Sequence, residues 1–370
     1  MIYFKKLLNN LIATQEESSL RKLLLSPLSL LSFFYGWGNS ARVYLYERGI
    51  FPTRSLAGKV VSVGNITLGG TGKTPFVVLL AEMLKSKGSR VAILSRGYKG
   101  NFSEPFRLVS DGKQTFMDAS HAGDEPYLMS KKLSGIPVIV GQKRWRSGQY
   151  AIEQFQSEVL ILDDGFQNLP LKRDLNLLLI DSSSPFGNGY LFPRGILRES
   201  LSQLRRADAI ILTKAGQHDN LKILKQNLIK FLKGIPIFKV EYAPGKIRMF
   251  GKETSFPAEY MKGKKVLAFS GIARPISFKQ TLLNLKADIA EFVIFPDHHE
   301  YRPKEWEKLS QKARDLGVEA MVTTEKDLVR CQGLKQGIIP LWGVSIRHVF
   351  VGNDLPRFEE FLFSRLSLVK

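Results

Sequence analysis

The chain has 370 residues, too many for one ordinary hydrophobic core, so two domains are expected. Its 44% hydrophobic and 24% charged residues exclude a largely disordered chain, and its single cysteine, Cys331, excludes internal disulfides and multi-cysteine metal sites. A net charge of +20 favours polyanionic partners (nucleic acid, anionic lipid or phosphorylated substrates) without choosing among them.

The first notable segment is Leu23 to Trp37, crowded with leucines and aromatics. It is shorter than the ~20 residues a spanning helix needs, and Pro27 lies inside it. No small-residue cleavage site follows, so a signal peptide is not expected. Arg21 and Lys22 precede it, and Arg42, Arg48 and Arg54 follow. This pattern suits a segment lying in a membrane interface, and equally a core helix packed on the next domain.

After Lys59 short apolar runs recur at Lys59–Val63, Arg90–Leu94, Pro137–Val140, Val159–Leu162, Asn176–Ile180 and Ala209–Leu212. Helix-length segments separate most of them, which predicts βαβ units and a mainly parallel sheet. A second set follows at Ile237–Val240, Val266–Phe269, Phe292–Phe295, Ala320–Thr323 and Ile338–Trp342. Between the sets, Tyr242–Phe256 has little periodicity and reads as irregular. The expected organisation is an N-terminal segment over 1–58, an α/β domain over 59–240, a smaller α/β domain over 241–345, and a C-terminal helix within 346–370.

The run Lys59–Val63 leads into Gly64-Asn65-Ile66-Thr67-Leu68-Gly69-Gly70-Thr71-Gly72-Lys73-Thr74. Strand, glycine-rich loop and helix in this order form a phosphate cradle, a P-loop. Backbone N–H groups of Thr67, Leu68, Gly69, Gly70, Thr71 and Gly72 would surround the phosphates, and the helix start adds its positive dipole end. Lys73 would reach the β- and γ-phosphates of a nucleotide, and the Thr74 hydroxyl would meet Mg²⁺. Thr67 stands where the usual pattern has glycine. A metal-holding carboxylate is also required near a strand end, and Asp163 and Asp164 follow the apolar run Val159–Leu162.

Further motifs lie in order along the chain. They include Ser95-Arg96-Gly97-Tyr98, Gly123-Asp124-Glu125-Pro126, Leu162-Asp163-Asp164-Gly165-Phe166-Gln167 and Gly187-Asn188-Gly189. Leu197-Arg198-Glu199, Arg206-Ala207-Asp208, Ser270 to Pro275, Asp297-His298-His299 and Thr323 to Asp327 continue the series. In this order they make the chain resemble the tetraacyldisaccharide 4′-kinases, a family of lipid A kinases of Gram-negative bacteria. Thr67 matches a small hydroxyl residue in that family's P-loop, whereas Arg194 departs from the small residue expected before Arg198.

The resemblance implies a P-loop NTPase-type parallel sheet, a second smaller α/β domain and an apolar N-terminal helix. It implies transfer of the γ-phosphoryl group of Mg-ATP to the 4′-hydroxyl of a lipid A disaccharide 1-phosphate, at the cytoplasmic face of the inner membrane. Lipid then accounts for the basic charge, and no nucleic-acid partner is expected. Asp124 would act as base with His298, and Lys73 and Arg144 would neutralise phosphate charge. Thr74, Glu125, Asp163 and Asp164 would hold Mg²⁺, while Arg96, Tyr98, Gln167 and Arg198 would face the substrate. From the residues alone, Asp124-Glu125-Pro126 reads equally as a helix N-terminus, and the histidines as solvated loop residues. A membrane-associated switch ATPase lacking an acceptor, or a nucleic-acid-dependent ATPase, would share the P-loop but would not need Asp124 or His298.

Overall fold

The computed structural model describes residues 19–97, 104–216, 234–252, 254–335 and 337–367. An N-terminal helix, α1 (Ser19–Glu47), precedes strand β1 (Lys59–Gly64) and α2 (Lys73–Ser86). There follow β2 (Val91–Ser95), β3 (Arg107–Ser110), a short α3 (Ala119–Ala122), α4 (Asp124–Lys132), β4 (Val138–Val140), α5 (Arg144–Phe155), β5 (Val159–Asp163), β6 (Leu175–Asp181) and β7 (Ala209–Thr213). The remainder contains β8 (Ile237–Met249), β9 (Ser255–Pro257), β10 (Lys265–Ser270), α6 (Pro275–Asn284), β11 (Asp288–Ile294), α7 (Pro303–Asp315), β12 (Ala320–Thr324), α8 (Glu325–Arg330), β13 (Leu341–Phe350) and α9 (Asp354–Leu366).

Among the described residues the strands follow one hydrogen-bonded path, β11-β10-β12-β13-β8-β7-β6-β1-β5-β2-β4-β3, with β9 added on β8. Pairing is parallel from β8 through β7, β6, β1, β5 and β2 to β4, and again from β11 through β10 and β12 to β13. Antiparallel pairs occur at β3 with β4, β8 with β13 and β8 with β9. The expected mixed α/β fold with a mainly parallel sheet is therefore observed.

Helices cover both faces, as buried parallel strands require. On one face α2 sinks Phe76, Val77, Leu80, Ala81 and Leu84 against β1, β2 and β5, and α9 adds Phe358 and Leu362 to the same core. On the other face α5 packs Ala151 against Leu94, Leu160 and Leu162. In the second half α6 covers one face with Phe278 and Leu282, and α7 covers the other with Trp306, Leu309 and Ala313.

Two sequence expectations change. Tyr242–Met249 is strand, not irregular chain, because β8 continues past its three pairs with β7 and then pairs with β13. Pro244 fits because it lies opposite Ile346, beside a register shift in β13, where the regular ladder is interrupted. The position drawn as a domain boundary, Val240, thus lies inside one continuous strand. The short edge strand β3 has no periodic signature of its own. Cys331 is fully buried, as a small hydrophobe would be, and burial pushes its thiol well above the ordinary range.

Candidate active site

The phosphate loop joins β1 to α2. Register places Val63 opposite Asp163, so the end of β5 stands level with the start of the loop. Gly69 and Gly72 take φ of 107° and 86°, in the region that favours glycine. Gly72 is also enclosed: a Cβ there would lie 2.4 Å from Tyr242 Oη and 2.8 Å from His348 Cε1.

Thr67 is accommodated by a second device. It forms an isolated antiparallel bridge with Leu197, and Leu68 N donates to Ile196 O at 2.7 Å. Arg198 N donates to Ile66 O at 2.7 Å, so the segment 196–198 holds the outer side of the loop. Asn65 Nδ2 donates to Thr67 O at 2.8 Å, and Asn65 Oδ1 accepts from Lys73 Nζ at 3.2 Å. Asn65 shapes the loop around it, a role that no sequence pattern signals.

Lys73 Nζ lies 3.4 Å from Asp164 Oδ1. Arg198 Nη1 donates to both Asp164 oxygens at 3.1 and 3.0 Å. Burial pushes the Asp164 carboxyl up, but Lys73 and Arg198 together hold it below its ordinary range. Asp163 behaves oppositely. It is buried and its Oδ2 accepts from Ser95 Oγ at 3.1 Å. Burial, followed by the nearby charges of Glu125 and Asp164, pushes it up to about 7. Its Oδ1 and the Thr71 hydroxyl are buried with no partner among the described residues. Thr74 is buried at the first turn of α2.

Arg144 differs from expectation. Its guanidinium is buried, with Nη1 donating to Gly141 O at 2.6 Å and Nη2 to Asp163 O at 3.3 Å. Burial lowers it to about 10 against the opposing pull of Asp163 and Asp164. Both of these bonds run to main-chain carbonyls. Gln167 Nε2 donates to Asn65 O at 2.9 Å. Arg96 is exposed after β2, and Tyr98 lies outside the described residues.

The other side of the site comes from α4 and the second half of the chain. The N-cap of α4 is Gly123, so Asp124 and Glu125 open the helix without themselves capping it. Asp124 Oδ2 is 3.3 Å from His298 Nδ1 and accepts from Arg330 Nε at 2.8 Å. Burial pushes Asp124 up most strongly, yet His298 and Arg330 hold it below its ordinary range. Lys326 Nζ lies 2.5 Å from Glu125 Oε1 and is the first cause of that carboxyl's lowered value. The two adjacent histidines separate in role. His298 takes a φ of 58° and turns to Asp124, whereas His299 stacks on Phe295 and pairs with Glu305 at 3.0 Å.

Thr324 caps α8 by accepting from Asp327 N at 3.1 Å, at the junction of β12 and the helix. Lys214, just after β7, is buried and pairs with Asp181 at 2.8 Å. Lys326 and Arg330 had no assigned role in the sequence, because the acids they meet lie about two hundred positions away. Arg194, the departure from the family pattern, stacks its guanidinium 4.3 Å from the Tyr190 ring centroid.

Helix α1 is tied to this site. Asn39 Nδ2 donates to Arg198 O at 3.1 Å, Arg42 Nη2 to Gln167 O at 3.1 Å, and Ser32 Oγ to Leu191 O at 2.8 Å. Its other side leaves Leu30, Leu31, Phe33, Phe34 and Trp37 exposed, with Tyr190 and Phe192 exposed on the neighbouring loop. Among the described residues no helix is long and apolar enough to cross a membrane.

The sequence model of the family described as tetraacyldisaccharide-1-P 4′-kinase matches residues 21–367. The tetraacyldisaccharide 4′-kinase of Desulfatibacillum aliphaticivorans is 41% identical over 349 residues, covering 92% of each chain. That of Syntrophus aciditrophicus is 40% identical over 334 residues, covering 87% of this chain and 89% of the other. The crystal structure of Aquifex aeolicus LpxK in complex with ATP superposes with a TM-score of 0.74 at 33% identity, covering 93% of this chain and 99% of that one.

Proposed function

The chain belongs to the tetraacyldisaccharide-1-P 4′-kinase family, and from that premise we propose how its residues carry the reaction and where they do so. It is an ATP-dependent kinase that moves the γ-phosphoryl group of ATP to the 4′-hydroxyl of a tetraacyldisaccharide 1-phosphate, making lipid IVA in lipopolysaccharide biosynthesis. The observation that carries the residue assignment is one convergence: Lys73, Asp163 and Asp164 around the loop, with Asp124 and His298 facing each other beside it.

Loop N–H groups from Thr67 to Thr74 and Lys73 hold the β- and γ-phosphates. Phosphoryl transfer demands positioning and charge neutralisation above all, and this loop is preorganised for both. Arg198 and Gln167 fix the outer edge of the loop, which the acceptor approaches, with Arg96 exposed to meet it. Arg144 acts through Asp163 and Asp164, offsetting their charge. Asp124, kept ionised by its partners, accepts the proton of the 4′-hydroxyl, and His298 orients that carboxylate.

The residues fit Mg²⁺. Asp163 presents a buried oxygen with no partner among the described residues, and burial, followed by the charges of Glu125 and Asp164, raises its carboxyl, a cost that a bound cation would offset. Mg²⁺ takes few carboxylates and several waters, so not every nearby acid need touch it. Thr74, Asp163, Asp164 and Glu125 are the residues that would hold it, and it would supply charge neutralisation across the transferring phosphates.

The exposed apolar side of α1 lies in the membrane interface, on the cytoplasmic face of the inner membrane, where both ATP and a lipid acceptor are accessible. Its bonds to Arg198 and Gln167 support a lipid surface beside the sugar site. Anionic lipid accounts for the basic charge. An assay with labelled ATP and tetraacyldisaccharide 1-phosphate, against a control without acceptor, tests this reading. Label in the lipid supports it. ATP hydrolysis indifferent to acceptor contradicts it.

A further inference from the structure

Helix α8 carries Lys326 and Arg330 four residues apart, and such residues share one helix face. That face meets the first turn of α4, where the two acids are consecutive. The two contacts differ in kind. Lys326 makes one partly exposed ion pair with Glu125. The Arg330 side chain is 6% exposed and joins four groups at once.

Its Nε donates to Asp124 Oδ2 at 2.8 Å. Its Nη1 donates to Gly271 O at 2.8 Å and to Asp327 Oδ1 at 3.0 Å. Its Nη2 lies 3.2 Å from His298 Nδ1. The anchors are themselves held. Asp327 Oδ2 accepts from Thr324 Oγ1 at 2.7 Å and from Gly271 N at 3.1 Å. Gly271 O also accepts from His298 N at 3.0 Å, so the loop bearing His298 is bonded to the same guanidinium. Gly271 is tightly enclosed, with a Cβ there falling 3.0 Å from Pro296 O.

A guanidinium is planar and only donates, so it fixes the angle between the groups it joins. His298 Nδ1 thereby faces a donor, Arg330 Nη2, and an acceptor, Asp124 Oδ2. A bare Nδ1 accepts from Arg330, and a protonated Nδ1 donates to Asp124. The ring keeps its orientation in either state.

We propose that Arg330 is a positioning residue for phosphoryl transfer, aligning the Asp124 carboxylate with the His298 imidazole so that the pair is assembled only when α8 is docked on α4. The inference rests on the reading of Asp124 and His298 as the proton-accepting pair. Arg330 acts through the two residues assigned to the chemistry.

The test uses the full-length protein with ATP and tetraacyldisaccharide 1-phosphate in mixed micelles. Arg330→Ala is expected to lower kcat by ~10–100-fold, the span of one or two lost charge-assisted hydrogen bonds, with the KM for ATP held within about two-fold. Arg330→Lys should fall between it and the wild type, and low-millimolar guanidinium should partly restore Arg330→Ala. Gln332→Ala supplies the docking control, because Gln332 Nε2 bonds Tyr127 Oη at 2.8 Å between the same two regions without touching Asp124 or His298. It should keep the wild-type kcat. If Arg330→Ala does not fold, Arg330→Lys carries the test through its kcat loss, which should vanish in an Asp124→Asn background. Wild-type kcat in the Arg330 variants, or an equal loss in Gln332→Ala, overturns the proposal. Undiminished turnover in Asp124→Asn alone overturns the underlying reading instead, whatever Arg330 shows.

Discussion

Replacing Asp163 with Asn should make the protein more stable and less active, and the gain in stability should depend on pH. The carboxyl is buried among Glu125 and Asp164, and its value rises from the ordinary 3.8 to about 7. Between those values the folded protein keeps a proton that the unfolded chain has lost. Stability contributed by this group therefore falls as pH rises from about 4 to 7. The full shift corresponds to a ceiling of about 4 kcal/mol of lost stability above pH 7. Asn keeps the shape and the contact with Ser95 but carries no charge. Its advantage over Asp should be roughly 2 kcal/mol at pH 5 and approach 4 kcal/mol at pH 8. Urea unfolding of both proteins in chelator at the two pH values measures this directly. Adding Mg²⁺ and ATP should then stabilise the wild type more than the variant. A gain that is the same at both pH values, or a loss at pH 8, would refute the argument that burial and the neighbouring acids raise this group.

Gly72→Ala places a Cβ 2.4 Å from Tyr242 Oη at a φ of 86°, so it should cost at least about 2 kcal/mol in urea unfolding and weaken ATP binding measured by calorimetry. Replacing Phe33, Phe34 and Trp37 together with Ser should leave stability and ATP binding unchanged, because all three are exposed. The same change should lower partitioning to anionic vesicles at least ~100-fold in a sedimentation assay, since each aromatic contributes apolar area at the interface. These substitutions are a cleaner test than removing the segment, because Ser32, Asn39 and Arg42 also support the site.

The features legible in the sequence are those whose chemistry is contiguous. The phosphate loop, the acids after β5 and the alternating strands each lie within a dozen residues, so local pattern suffices. The family resemblance accounts for Thr67 in place of glycine, but its bridge to Leu197, over a hundred positions away, is visible only in the fold. Arg144 has a role in neutralising phosphate charge only through the family resemblance, since by itself it is one of many basic residues. Only packing reveals that its guanidinium faces main-chain carbonyls. The continuation of β8 past Val240 was hidden because Pro and Gly usually end a strand, whereas the irregular pairing with β13 tolerates them. Arg330 and Lys326 were invisible for a different reason. Their meaning lies entirely in which acids α8 meets across the fold.

The central claim is that Asp124 and His298 serve the acceptor rather than the nucleotide. Single-turnover transfer of labelled phosphate to tetraacyldisaccharide 1-phosphate, measured beside ATP affinity for Asp124→Ala and His298→Ala, tests it most directly. The account predicts transfer reduced by ~10²–10⁴-fold with ATP affinity close to wild type. Wild-type transfer in these variants, or a loss that follows ATP affinity, would contradict it.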